Sequence, residues 1–213
     1  AAGGNDAGEM GYRLAEKRCG NYGTCSGSDG KTGTSNVNVK IMAAFGAGLT
    51  ALTGGDCDAG AAQMEIIKAQ MKVPLVQGML RYAYKADPSG GAKGAKEIGE
   101  GWAFATAILG EINKCSPTVA ATVRTNMDIA ATAPVADGYQ AVIAAVQTTY
   151  DCMGIKCADV GGLLKSDGTY YAGHEPCIAI AGYTPGSDVV AHSEIDLDQD
   201  AMGSAAGSIP VAW

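Results

Sequence analysis

Apolar positions recur along most of this chain at intervals of three and four, the spacing of one helix face. Strand-like alternation is almost absent before residue 166. A short helix is predicted over 9–18, followed by a turn-rich loop, CGNYGTCSGSDGKTGTS. A second is predicted over 36–52, with Met42, Phe45, Leu49 and Leu52 at helical spacing and with Ala and Gly that allow close packing on a neighbour. After GGDCD, where Asp58 is an N-cap candidate, the longest helix is predicted over 59–85. Met64, Ile67, Met71, Leu75, Met79 and Tyr82 form one stripe on it, and Ile66, Val73, Leu80 and Tyr84 lie on the other side. A helix apolar on both sides is expected at the centre of a fold. Pro74 falls inside it and is expected to kink it.

DPSGGAKG breaks the chain before a helix over 95–115, whose core stripe reads Ile98, Trp102, Ala105, Leu109 and Ile112. Pro117 suits the first turn of a further helix, predicted over 118–131 with Val119, Val123 and Met127. Beyond APVADG, Tyr139, Val142, Ile143, Val146 and Tyr150 predict one more helix to about residue 153, and CADVGGLL adds a turn or two. From Ser166 the periodicity fails. The pattern predicts an all-α fold in a single domain, 1–213: a mostly antiparallel helical bundle over about 36–165 with a long irregular C-terminal arm over 166–213, stapled by disulfides.

Composition narrows the class. The formal charge is −7 and only 17% of residues are charged, so the clustered Lys and Arg that phosphate contacts need are missing, and nucleic acid is excluded as a partner. No apolar run is long enough to span a bilayer. Seven cysteines stand at Cys19, Cys25, Cys57, Cys115, Cys152, Cys157 and Cys177, with no CxxC and no Cys/His cluster. They fall at element ends and in Gly-rich loops, which points to an oxidising compartment, about three disulfides and one thiol left over. A local Cys19–Cys25 bridge is plausible, and Cys177 has Cys152 or Cys157 within reach. The opening AAGGND, without Met, fits a chain processed after small residues or trimmed there.

The candidate chemistry is that of oxygen ligands. Glu97, Glu100 and Glu111 cluster on one face of the 95–115 helix, opposite the Ile98/Trp102 stripe, with Phe104 among them and Gly101 stripping bulk beside Glu100. That face is either solvated, with Lys93 and Lys96 as partners, or it holds a hard cation. Tyr82 and Tyr84 cannot share a helix face; they are core and interface rings or phenolate ligands. Glu65 is a lone acid on an apolar helix, paired with Lys72 or free to ligate. YYAGHEPC gathers Tyr170, Tyr171, His174 and Glu175 beside Cys177, either as rings packing over the bundle end or as phenolate, imidazole and carboxylate ligands. Asp196, Asp198 and Asp200 have calcium-loop spacing, but Ala201 and Gly207 stand where that loop needs Gly and an acid. No GxSxG, HExxH, phosphate-binding loop or dinucleotide fingerprint occurs, and no enzyme activity is expected.

LRYAYKAD, EGWAFATAIL, YDCMGIKCADVGGLL and YYAGHEPC follow one another in order over about half the chain, roughly residues 65–177. Together they resemble the algal iron-assimilation proteins, the group that includes the phytotransferrins. The resemblance implies a non-catalytic protein outside the cytosol, secreted, periplasmic or at the cell surface, that serves iron uptake and binds ferric iron (Fe3+) together with carbonate. An anchored member would need a C-terminal hydrophobic tail or lipid signal, and GSIPVAW supplies neither. The ligand set expected from chemistry is Glu100, Glu65, Tyr82, Tyr84, Tyr171 and His174. The other reading is a structural or interaction subunit of a larger extracellular or organellar assembly, with a protein partner and no metal site. A buried cluster of acids and phenols favours the first reading, and exposed apolar surface favours the second.

Overall fold

The computed structural model describes residues 11–91, 94–131 and 133–177, and these form helices with no strand among them. In chain order the helices are α1 (Gly11–Tyr22), α2 (Asn36–Thr53), α3 (Cys57–Ala86), α4 (Ala95–Cys115), α5 (Pro117–Met127), α6 (Tyr139–Gln147) and two single turns, α7 (Tyr150–Met153) and α8 (Cys157–Val160). The all-α, disulfide-stapled bundle read from the sequence is the fold. The described residues belong to one unit that ends at Cys177.

Local chemistry sets the helix limits. Asp56, not Asp58, caps α3: its carboxylate accepts from the Ala59 amide at 2.9 Å. Pro117 lies in the first turn of α5, as expected, and Ser116 before it is the cap. The helix expected to run to 153 is broken at Thr148 and Thr149 into α6 and α7. There the Thr149 hydroxyl donates back to the Val146 carbonyl, a local bond that competes with the helical ladder. The first helix begins at Gly11 among the described residues and runs on through Cys19 to Tyr22.

Helix α3 is the axis. It packs against α2, α4, α1, α6 and α8. Its core side chains start at Ala69 and continue through Val73, Val76, Met79, Leu80 and Ala83, all buried. Gln77, fully enclosed, ties three segments to that axis. Its side-chain amide donates to the Val160 carbonyl at 2.8 Å and the Thr24 hydroxyl at 3.2 Å, and its own carbonyl accepts from the Tyr22 hydroxyl at 2.7 Å. A buried amide left without those partners would cost on the order of 1–3 kcal/mol, so this network fixes where α1 and α8 sit.

The disulfides are Cys19–Cys25, Cys115–Cys152 and Cys157–Cys177, and Cys57 is a free, exposed thiol. The local bridge is the expected one, Cys177 takes the second of its two alternatives, and one thiol is left over. Cys157–Cys177 pins the first part of the irregular arm to the body. Residues 178–213, which include His192 and the Asp196/Asp198/Asp200 run, lie outside the described residues. None of the described helices is long and apolar enough to cross a membrane.

The stray Phe104 has a packing explanation. Helix α4 turns Gly101, Ala105, Ile108 and Ile112 inward, so Ala105 and Ile112 of the expected stripe are core, while Ile98, Trp102 and Leu109 are only half-buried. Phe104 lies flat over α3, stacked on Tyr82 with ring centroids 5.7 Å apart. It fits because position 78 has no side chain: a Cβ there would stand 2.5 Å from the ring. Gly78→Ala is therefore expected to destabilise the fold by about 2 kcal/mol through overpacking. A urea melt checks this, and a neutral result would mean that the ring has room to move aside.

Candidate functional site

The six residues read as oxygen or nitrogen ligands fall in three separate places. Glu65 is on the exposed first half of α3, paired with Lys68 at 2.7 Å rather than with Lys72. Lys72 instead reaches Glu111 at 3.2 Å. At a 1.5 Å rise per residue, Glu65 is about 28 Å along the same helix from Tyr84. It takes no part in a common site.

Glu100 and Tyr82 meet a cation, but that cation belongs to the chain. Arg18 of α1 is buried, 3% exposed, with its guanidinium 5.9 Å from the centre of the Tyr82 ring and 5.6 Å from that of Phe104. Its Nη1 donates to the Asn21 side chain at 3.1 Å, and its Nε has no hydrogen-bond partner. Burial, and then neighbouring Arg81, act to lower the Arg18 pKa, while Tyr22 and the negative charge of Glu100 oppose them. A buried guanidinium is stabilised by ring faces and a nearby carboxylate. The pairing of Glu100 with Phe104 on α4 is thus explained by Arg18, with Lys96 3.8 Å from Glu100 on the solvent side, while Glu111 pairs with Lys72 and Lys114.

Tyr84, Tyr171 and His174 do come together, and Tyr139, which the ligand chemistry had passed over, joins them. The centroid of Tyr84 is 4.4 Å from that of Tyr171, 5.2 Å from Tyr139 and 5.4 Å from His174, and His174 stacks on Tyr139 at 5.0 Å. Backbone bonds place the loop: the Leu163 amide donates to the His174 carbonyl, the Tyr171 amide to the Leu163 carbonyl, and the Tyr139 hydroxyl to the Ala172 carbonyl. Asp87 at the end of α3 accepts from the Tyr139 amide, so the start of α6 is fixed to the same spot. The helical spacing of Tyr139 and Tyr150 marked Tyr139 as core, and only the fold shows that its ring faces His174.

This cluster is built for packing more than for ionisation. Burial, then Tyr171 and Tyr139, raise the Tyr84 pKa, which opposes a phenolate. Burial holds His174 down at about 4, so it is neutral at ordinary pH, and its Nε2 has no partner. A cleft of about 90 Å³ opens beside the rings between Asn21, Arg81, Tyr84 and Tyr171. That is well below the several hundred Å³ of an ordinary small-molecule site. Among the described residues no three of His, Cys, Asp and Glu converge as metal ligands do. Ferric iron needs converging deprotonated oxygens, and these six residues do not form one such set.

The largest anomaly lies elsewhere, on the hairpin of α2 and α3. Met42, Phe45, Leu49 and Leu52 are not core: they are between 56% and 66% exposed. The small residues beside them do the packing. Ala44 is buried, Gly48 sits against Gln63, and Gly60 of α3 leaves room for Leu52. Small side chains let the two backbones approach, and the large ones, one position further round the helix, are turned outward. On α3, Met64 and Met71 are exposed too, with Met64 one turn on from the Gly60 that Leu52 covers. In an antiparallel pair the positions following each contact residue face the same way, so these six side chains share one surface. Together they expose on the order of several hundred Å², at or above what a monomer ordinarily leaves in one patch.

No family model, no curated protein and no solved structure matches this chain.

Proposed function

We propose that this chain is a non-catalytic interaction protein of an oxidising, extracellular compartment, and that the α2/α3 hairpin is its docking element. The observation that carries the reading is the apolar surface of Met42, Phe45, Leu49, Leu52, Met64 and Met71, displayed on a hairpin whose other end is anchored in a disulfide-stapled body. A chain that only had to fold would gain by placing polar residues at these positions, which contribute little to its own core. The three disulfides support the compartment.

The test is the stability of a charged variant in dilute solution. Leu49→Glu is expected to leave the unfolding free energy within about 0.5 kcal/mol of the parent, as surface substitutions do. A loss of several kcal/mol would show that the stripe belongs to the chain's own core, and the docking reading would fall.

A second reading, ferric iron binding of the algal iron-assimilation type, keeps one observation in its favour: the convergence of Tyr84, Tyr171 and His174. It expects a visible phenolate-to-iron band on titration with Fe(III) and bicarbonate, lost in Tyr171→Phe. A titration without that band removes it.

A further inference from the structure

We propose that the partner of this hairpin is a second copy of the same chain, with α2 packing antiparallel on α2 along Met42, Phe45, Leu49 and Leu52 to close a four-helix assembly from two hairpins. The proposal rests on the docking reading above and names its occupant.

Spacing is the first argument. Positions 42, 45, 49 and 52 repeat as three, four, three, the seam pattern by which one helix packs on another. The flanking positions carry Ala43, Gly46, Ala47, Thr50 and Thr53, whose small side chains leave hollows for the large side chains of a facing copy. A stripe of alternating knobs and hollows is complementary to itself under a two-fold axis.

Charge is the second. Residues 41–55 hold no ionisable side chain, so the outer part of α2 offers nothing by which a charged partner would be steered or selected. Asp56 and Asp58 stand at the tip of the hairpin, while further along Glu65 is paired with Lys68, Lys72 with Glu111 and Lys40 with Asp159. An antiparallel pair keeps the two tips apart, whereas a parallel pair gathers four tip carboxylates, Asp56 and Asp58 of each copy, at one point. The same tip acids, on a chain of net charge −7, oppose an anionic membrane surface.

Area is the third. Six large apolar side chains, each half exposed or more, bury from two copies roughly the 1,000 Å² that a specific interface needs.

Light scattering on a sizing column, with Cys57 alkylated so that no intermolecular disulfide contributes, is expected to give twice the chain mass of 21.5 kDa at high concentration, falling toward 21.5 kDa on dilution. Leu49→Glu and Phe45→Glu are expected to stay at 21.5 kDa at every concentration with an unchanged helical spectrum. A nitroxide placed on Cys57 reports the orientation. An axis crossing near Ala47 leaves about 9 Å of α2 between it and each tip, which puts the two labels roughly 20–25 Å apart at 1.5 Å per residue. Labels closer than about 15 Å indicate tips side by side and overturn the antiparallel arrangement. A parent that remains at 21.5 kDa while Leu49→Glu is neutral in dilute solution overturns the dimer and leaves the docking face for a partner of another kind. Flotation of such a monomer with phosphatidylcholine vesicles, lost in Leu49→Glu, makes that partner a lipid surface. A parent that remains monomeric and loses several kcal/mol on Leu49→Glu overturns both readings.

Discussion

Replacing Cys115 and Cys152 together by serine is expected to cost about 4 kcal/mol, the largest loss from removing any one bridge. The bond joins the end of α4 to α7 across 37 residues, against 20 for Cys157–Cys177 and 6 for Cys19–Cys25. In the chain-entropy account the stabilisation grows with the logarithm of the closed loop, which gives about 4, 3 and 2 kcal/mol in that order. The serines add little penalty of their own, because Cys152 is exposed and Cys115 only half-buried. Urea denaturation of the three double variants measures the series. Equal losses for all three would show that native contacts, not loop closure, set the effect.

Acid is expected to weaken the fold well before the carboxylates titrate, and His174 is the reason. It is 3% exposed, stacked on Tyr139 and set against the edge of Tyr84, and burial lowers its pKa from 6.5 to about 4. Above pH 6.5 the imidazole is neutral in both states and its packing contributes in full. Between pH 6.5 and 4 the unfolded chain takes up a proton that the folded chain refuses, so stability falls with falling pH. At about 1.4 kcal/mol per unit the loss reaches about 3 kcal/mol by pH 4. The diagnostic window is pH 6.5 to 5. It lies above the range of Asp29, Asp87, Glu111 and Asp167, each of which the fold holds below its ordinary value. His174→Gln should flatten the stability profile there. An unchanged slope would place the proton uptake elsewhere.

Helix existence was legible because periodicity is local. The first five helices lie within a few residues of their predicted limits, with Pro117 in the first turn of α5 as expected, while the cap of α3 fell on Asp56 rather than Asp58. Which face of a helix turns inward was less legible, because it depends on what the fold brings opposite. The stripe Met42/Phe45/Leu49/Leu52 has the spacing of a core face, yet α3 meets the Ala44/Gly48 side, and nothing in α2 itself distinguishes the two. Phe104 could not be explained without Gly78 from one helix and Arg18 from another. The acids and phenols were chosen as residue types suited to iron. Their positions followed from packing, which drew Tyr84, Tyr171 and His174 into one cluster and left Glu65 about 28 Å away on the hairpin.

Pro74 has a consequence for how this molecule opens. Its missing N–H leaves the Gln70 carbonyl without its usual helical donor, at the level where α3 passes from a hairpin arm into the core. Before that level most of α3 is exposed and lies against α2, and beyond it α3 is buried in the body, where α1, α4, α6 and α8 pack on it. One continuous helix therefore carries two opening free energies, with the break in its ladder at the boundary between them. The arm can unwind turn by turn while the body stays shut. Amide protons on the two sides of residue 74 belong to different cooperative units although they share one rod.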